Sequence, residues 1–260
     1  MELSLSMFLI ICPFAFLAGV VDSIGGGGGL ISLPAYMIAG LPAHTAVYTN
    51  KLSATCGIIV ATARYCKHKC IDYKLAVIGV ITAAFGGMAG AKCALMVDEL
   101  IFKILLLILL PLIAMYVLLK KDLEPHKTQP IARLKQYAVV SVATFLLAMY
   151  AGFYGPASGT FLILVYSGIA KMGLLQSEGN AKIVNMTADI FSLMIFLWNG
   201  VVIIPLGLTV AFFSIAGNYV GAGLAIKNGH KIIRIVILTV IAILFLKIMV
   251  DAGLRFWNAF

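Results

Sequence analysis

Five consecutive glycines stand in the stretch DSIGGGGGLISLP, directly after a long apolar run. Glycine is the residue least suited to holding a segment helical, so the run predicts an unwound turn. The amides of such a turn, with the N-terminus of a helix that begins at Leu30, make a positive-ended pocket that suits anions. Close packing of helices against small residues is the alternative interpretation. The glycines of the run are Gly25, Gly26, Gly27, Gly28 and Gly29.

Two lysines, Lys51 and Lys182, lie several positions inside long apolar stretches. On insertion scales a charge inside a membrane helix costs at least about 2.5 to 3.5 kcal/mol, and function usually explains that cost. At 100° per residue, Lys182, Asn185 and Asp189 fall in one narrow stripe of a helix, so we expect this stripe to face a polar interior. The corresponding stripe of the first half is Lys51, Thr55 and Thr62.

Two aspartates accompany these features. Asp22 opens the glycine run, and it either caps the broken helix or binds a coupling cation or proton. Asp189 is a second candidate for the coupling ion, with a structural ion pair to Lys182 as the alternative. Positions seven apart in a helix differ by about 10 Å of rise, so direct contact within that pair is not expected. Glu178 is expected near a membrane surface.

The composition predicts that these residues belong to a polytopic helical membrane protein. Of 260 residues, 62% are hydrophobic and 11% are charged, with a mean hydropathy of +1.08, whereas soluble domains carry about 25% charged residues. The net charge of +9 comes mostly from basic residues in short loops, where it orients the chain in the lipid bilayer, so nucleic acid is not expected as a partner. No Lys or Arg precedes the first apolar region, so we expect that region to remain in the mature protein.

An internal repeat is visible in the order of the apolar segments. AGVVDSIGGGGGL in the first half matches AGFYGPASGTF in the second, and TNKLSATCG matches NAKIVNMTAD, which pairs Lys51 with Lys182. Segments 30–39 and 160–170 are too short to span, and each follows a glycine-rich break. Long helix, break, short helix, lysine-bearing helix and two further spans therefore occur twice. The predicted segments are 5–21, 30–39, 45–65, 75–97, 101–119, 137–152, 160–170, 181–197, 206–226 and 232–250.

Loop charges predict how the two repeats are related. The loop after the first lysine-bearing helix is basic and the next is acidic, whereas in the second half the first of these loops is uncharged and the next is basic. Short basic loops stay cytoplasmic, so the repeats are predicted to be inverted. The loops 64–74, 120–135 and 227–234 are then inside, and Asn199 and both termini are external.

The predicted fold is therefore an all-α membrane protein of two inverted repeats. Each repeat has a glycine-broken helix in a re-entrant hairpin plus three spans. The first transmembrane repeat covers residues 1–122 and a basic cytoplasmic linker covers 123–136. The second, inverted repeat covers residues 137–260.

Neither a metal site nor a nucleotide site is expected. Cys66, His68 and Cys70 lie close together, but their spacing matches no standard zinc pattern and lysines flank the middle residue. A nucleotide loop needs a preceding strand and either G-x-G-x-x-G or a Lys-Ser/Thr ending, and the glycine run has neither. The sequence thus predicts no cofactor and no ATP-driven pumping by this chain.

The motifs AGVVDSIGGGGGLISLP, TNKLSATCG, GFYGPASGTF and NAKIVNMTADI together resemble the sulfite exporter TauE/SafE family, over nearly the whole chain. The closest likeness is to the family's uncharacterised probable transporters. The resemblance implies a carrier of the bacterial inner membrane, with family substrates that include sulfite and organosulfonates. Asp189 stands where relatives often have a neutral polar residue. The family's motifs fall on the five glycines of the run and on Asn50, Lys51, Gly159, Lys182 and Asn185.

Residues and resemblance together predict a secondary transporter of small anions, such as sulfite, other sulfur oxyanions or organosulfonates. It would work by alternating access, without enzymatic chemistry on the substrate. A passive anion channel is the first alternative, and an accessory membrane protein that holds an intramembrane enzyme complex is the second. The expected partners are the small anion and the lipid bilayer. The flux direction, the coupling ion and a homodimeric state stay open.

Overall fold

Helices form the framework of the chain. The computed structural model describes residues 4–98 and 133–229, together with 231–233, 235, 236 and 239. No strand occurs within these ranges. The helices with defined bounds are α1 (Leu5–Gly25), α2 (Gly29–Ile38), α3 (Ala43–Lys67), α4 (Tyr73–Met96), α5 (Arg133–Phe153), α6 (Ser158–Gly168), α7 (Leu174–Trp198) and α8 (Ile204–Asn228).

Five of these helices, α1, α4, α5, α7 and α8, are long and apolar enough to cross a membrane. This confirms the prediction of an all-α, multi-pass membrane fold. The predicted segment 101–119 and nearly all of the basic loop 120–135 lie outside the described residues, as does most of segment 232–250. Helix α5 begins at Arg133, inside the predicted linker 123–136.

The glycine run ends α1, as the sequence predicts. Gly26 follows the helix with φ of +74°, a left-handed conformation that glycine adopts freely, and its N–H donates to the carbonyl oxygen of Asp22 at 2.7 Å. Helix α2 then runs back along α1, where Tyr36 packs in one cluster with Ile11 and Cys12. With ten residues, or about 15 Å, α2 is too short to cross a bilayer, so α1 and α2 form a helical hairpin.

The second half repeats the same order at nearly the same lengths. Helices α1 to α4 have 21, 10, 25 and 24 residues, and α5 to α8 have 21, 11, 25 and 25. Between α5 and α6 the chain turns through Gly155 and Ala157, both with positive φ. Both short helices begin within two residues of their predicted positions. Each half therefore contains one glycine-broken helix.

The most extensive helix packing joins the two halves. Helix α1 packs on α8 and α5 packs on α4, and the next largest contacts join α3 to α8 and α7 to α4. If the two halves are exchanged, the α1–α8 contact becomes the α5–α4 contact, and the α3–α8 contact becomes the α7–α4 contact. Small residues permit the close approach, because a Cβ atom on Gly90 would overlap the carbonyl of Met149, and one on Gly217 would overlap that of Phe16. Each half thus buries its helices against the other.

Contacts along the helices fix the direction of the large pairs. Gly86 lies against Phe145, and Gly90 lies against Met149, one turn further along both helices. Helices α4 and α5 are therefore parallel. The numbers of the contacting residues also rise together along α1 and α8 and along α3 and α8, so both pairs are parallel.

The two lysine-bearing helices run in opposite directions. Near the start of α3, Tyr48 packs on Phe196 near the end of α7, with 4.4 Å between ring centroids. Just after the end of α3, the backbone of Cys70 lies against Gly179 near the start of α7. Helices α3 and α7 are therefore antiparallel.

Candidate functional site

The two glycine breaks meet inside the molecule. A Cβ atom on Gly159 would lie 2.6 Å from Cα of Gly26, so only glycine fits at this crossing. The hydroxyl of Thr160 donates to the carbonyl oxygen of Gly25 and closes the contact. Close packing, the alternative interpretation of the glycine run, therefore applies at Gly26.

Lys51 reaches from α3 into the other half. Its ammonium lies 2.7 Å from Oδ1 of Asp189 on α7 and donates to the carbonyl oxygen of Ala151 at 2.8 Å. Ala151 belongs to the last turn of α5, where carbonyl groups lack helical partners and the helix dipole favours a cation. The side chains of the pair are only 7% and 13% exposed.

Lys182 makes the reciprocal connection from α7 to the first half. Its ammonium donates to the carbonyl oxygen of Asp22, in the last turn of α1, and lies 3.4 Å from Oδ2 of the same residue. It also lies 3.3 Å from Oε1 of Glu178, one turn earlier in α7. Each lysine therefore sits at the C-terminal end of the other half's broken helix. Lys182 and Asp189 pair across the halves rather than with each other, in agreement with their spacing along the helix.

A polar cavity of about 60 Å³ lies beside the Lys51 pair. This volume has room for a few ordered waters or a small ion. Among the predicted site residues, those that line it are Asp22, Gly28, Gly29, Asn50, Lys51, Asn185 and Asp189. Those that do not are Gly25, Gly26, Gly27, Gly159 and Lys182. The arrangement exposes one lysine to the cavity and seals the other, whose side chain is 0% exposed.

Asp22 acts as a cap and an ion-pair partner together. Its Oδ1 accepts the N–H of Gly28 at 3.3 Å, and its Oδ2 faces Lys182. Asp22 thus contacts both the glycine break and Lys182 in this conformation, while its side chain keeps 25% exposure towards the cavity.

Asn185 provides an adaptable polar group on the cavity wall. Its amide oxygen is buried and has no hydrogen-bond partner among the described residues. The amide can rotate to present either its oxygen or its NH₂ group, and the NH₂ group suits an anion.

Sequence reasoning missed three residues of this region. Ser214 and Asn218 of α8 line the cavity, where the Asn218 amide donates to the carbonyl oxygen of Ser214 at 3.0 Å. Their spacing of four in an apolar helix was an available signal. The third is Glu178, expected near a membrane surface: its side chain is 0% exposed and lies in the ion cluster of Lys182, again at a spacing of four.

The cysteine-rich loop after α3 has no metal-site geometry. Among the described residues, no three His, Cys, Asp or Glu side chains come together as ligands. Burial raises the pKa of the Cys70 thiol, which disfavours the thiolate form that binds metals.

Residues 11–248 match the family described as sulfite exporter TauE/SafE. The chain belongs to the sulfite exporter TauE/SafE family. This TauE/SafE protein is 32% identical over 238 residues to "Probable membrane transporter protein YfcA" of Escherichia coli (strain K12), covering 92% of this chain and 88% of the relative. It is 30% identical over 261 residues to "Probable membrane transporter protein ORF9" of Sinorhizobium sp, covering 98% of each.

A further TauE/SafE relative, "Probable membrane transporter protein" of Haemophilus influenzae, is 28% identical over 254 residues, covering 97% of this chain and 98% of the relative. No solved structure matches the chain. The chain is therefore a multi-pass membrane transporter of the TauE/SafE type, a family of transporters rather than of enzymes.

Proposed function

We propose that this protein is a secondary transporter of small anions in the bacterial inner membrane, with sulfite, other sulfur oxyanions or organosulfonates as substrates. The observation that carries the proposal is the reciprocal placement of Lys51 and Lys182. Each lysine crosses to the broken helix of the other half, and one of them lines a polar cavity. Buried ammonium groups beside unwound helix ends suit the recognition of an anion.

Helix directions support an inverted relation between the two halves that carry the lysines. Helices α3 and α7 occupy equivalent places in the two halves and are antiparallel. Because α1 and α3 both run parallel to α8, and α5 and α7 both run parallel to α4, every equivalent pair of long helices has opposite directions. We therefore propose residues 1–122 and 137–260 as the two inverted repeats, joined by the linker 123–136.

The same directions support the proposed orientation in the membrane. The ends of α3 and α8 and the start of α5 lie on one side, and the loops there are basic. Short basic loops stay in the cytoplasm, so this side is proposed to be cytoplasmic. Asn199 and both termini would then be external.

The unequal state of the two lysines supports alternating access as the proposed mechanism. The cavity reaches Lys51 and Asp189, while Lys182 is sealed. In the exchanged state of an inverted repeat, Lys182 and Asp22 would line the cavity and Lys51 would be sealed. Asp22 and Asp189 would hold the lysines until substrate displaces a carboxylate from its ammonium.

Substrate would bind between Lys51 and the amides of Asn50 and Asn185. The anion takes the place of the Asp189 carboxylate on Lys51, so the ammonium keeps a negative partner throughout the cycle. The ammonium thus stays paired, and the displaced Asp189 carboxylate would need a proton or a coupling cation, because an unpaired buried charge is costly in a dry site. The glycine breaks let the helix ends close around the substrate.

The test is transport by the purified protein in liposomes. Saturable sulfite uptake, with acceleration by sulfite on the opposite side, is expected for a carrier. Uptake that does not saturate and lacks counterflow would indicate the passive channel, and absence of flux with a co-purifying partner would indicate the accessory protein. A thermal-shift screen of sulfite, sulfate, thiosulfate, sulfonates and carboxylates identifies the substrate, because ligands that bind the folded state stabilise it.

A further inference from the structure

Lys182, Asp22 and Glu178 form a largely buried ion cluster, which we call the closed cluster. The role of Glu178 in it is not explained by the proposed function. Its side chain and that of Lys182 are both 0% exposed. The ammonium lies 3.3 Å from Oε1, but neither carboxyl oxygen has a hydrogen-bond partner among the described residues. The ammonium instead donates to the main-chain carbonyl oxygen and to a carboxylate oxygen of Asp22.

The hydrogen-bond donors near Glu178 have other acceptors. The hydroxyl of Tyr65, on α3, faces the cluster but donates to the carbonyl oxygen of Ser23 at 2.9 Å. The thiol of Cys70, in the loop packed on Gly179, donates to the carbonyl oxygen of His68. An ionised carboxylate can accept about four hydrogen bonds, and this site supplies none of good geometry from the described groups.

The charges of the cluster do not balance when both acids are ionised. Asp22 and Glu178 share the single ammonium of Lys182, which would leave one net negative charge in a dry interior. Such a charge is strongly disfavoured, and a buried acid instead takes up a proton. Asp22 is partly exposed and accepts the Gly28 amide, so Glu178 is the acid that remains neutral.

We propose that Glu178 is a proton-binding site, protonated in the closed cluster and ionised when Lys182 opens to the cavity. On opening, the O–H bond of Glu178 breaks, the proton passes to water, and the carboxylate replaces Asp22 as the partner of the ammonium. The link to the transport cycle rests on the proposed function, because it makes this proton the one coupled to anion movement. The protonation of Glu178 in the closed cluster stands independently of transport.

Infrared spectroscopy of the full chain at neutral pH tests the protonation state. The C=O band of a protonated carboxyl is expected in the unmodified protein, to be lost in Glu178→Gln and to persist in the exposed control Asp98→Asn. Labelling with [¹³C]glutamate should shift this band and [¹³C]aspartate should not, a measurement that needs no variant. Glu178 is the one glutamate among the described residues. A band that survives Glu178→Gln, or that shifts only with labelled aspartate, would overturn the proposal.

Proton movement separates this proposal from the proposed function. In liposomes containing a pH-sensitive dye, sulfite flux by the unmodified protein should change the internal pH, and Glu178→Gln should lose that change. A glutamate band without any sulfite flux in the unmodified protein would refute the proposed function and leave the proton site supported. Sulfite flux with the same pH change in Glu178→Gln would refute the coupling role.

Discussion

The ammonium of Lys51 lies 2.7 Å from a carboxylate oxygen of Asp189, a residue 138 positions later and in the other half of the chain. The pair is largely buried and lies on the cavity wall. It therefore links the stability of this conformation to the availability of the ammonium that we propose binds the anion.

Replacing Lys51 by Met should separate these two roles. Loss of one partner from a largely buried ion pair should lower the free energy of unfolding by about 3–5 kcal/mol, and adding Asp189→Asn should recover most of it. Anion binding should weaken by about 2–5 kcal/mol, or roughly 30-fold to several-thousand-fold, in both variants. Thermal unfolding and sulfite-induced stabilisation measure the two effects.

The exposed Lys67 provides the control, because Lys67→Met changes the same charge outside the site. Normal sulfite binding by a folded Lys51→Met protein would refute the role of this lysine in the substrate site.

Replacing Gly159 by Ala should disturb the crossing of the two breaks. The added Cβ would lie 2.6 Å from Cα of Gly26, and overpacking of this kind costs about 1–3 kcal/mol. We expect a lower melting temperature in detergent. Gly173→Ala is the matched control, because nothing lies within 4 Å of a Cβ at that position. Equal melting temperatures for the two variants would contradict the crossing.

Replacing Lys182 by Met should affect exchange more than binding. Lys182 is sealed in this conformation, so the cavity around Lys51 should still bind sulfite and be stabilised by it. The alternate state would lack its ammonium, so counterflow in liposomes should fall to background. Expression and detergent monodispersity control for folding. Normal counterflow by this variant would assign Lys182 a purely structural role.

Membrane topology can be checked with single cysteines in a cysteine-free background. His68 follows α3, and Asn228 is the last residue of α8. These helices are parallel, so cysteines at both positions should resist an impermeant maleimide added to intact cells. A cysteine at Asn199 should react. Labelling of positions 68 and 228 from opposite sides would contradict both the shared cytoplasmic face and the inverted repeats.

The local features of the fold were readable from the sequence because they depend on neighbouring residues. Glycine at Gly26 ends α1 through a backbone conformation, and segment length alone marks α2 as too short to span. The polar stripe of Lys182 and Asn185 follows from helical periodicity, and both side chains are buried as expected.

The partners of the charged residues could not be read in this way. Lys182 meets Asp22 of α1 across 160 positions, and Glu178 is fully buried next to Gly179, on which the loop after α3 packs. Such contacts depend on how the halves pack together, and residue type and helical spacing do not specify that packing. For Ser214 and Asn218 the spacing of four along an apolar helix was a sequence signal, but the cavity that they face depends on the same packing.

The long separation of Lys51 from Asp189 also sets an order of events during synthesis. At about 5–20 residues per second, roughly 7–28 s pass between translation of the lysine and translation of its partner. Lys182, in contrast, emerges after Asp22 has already been made. A nascent chain that stops before α7 therefore holds an unpaired ammonium in α3. The charge of Lys51 is compensated only after α7 of the second half has been translated.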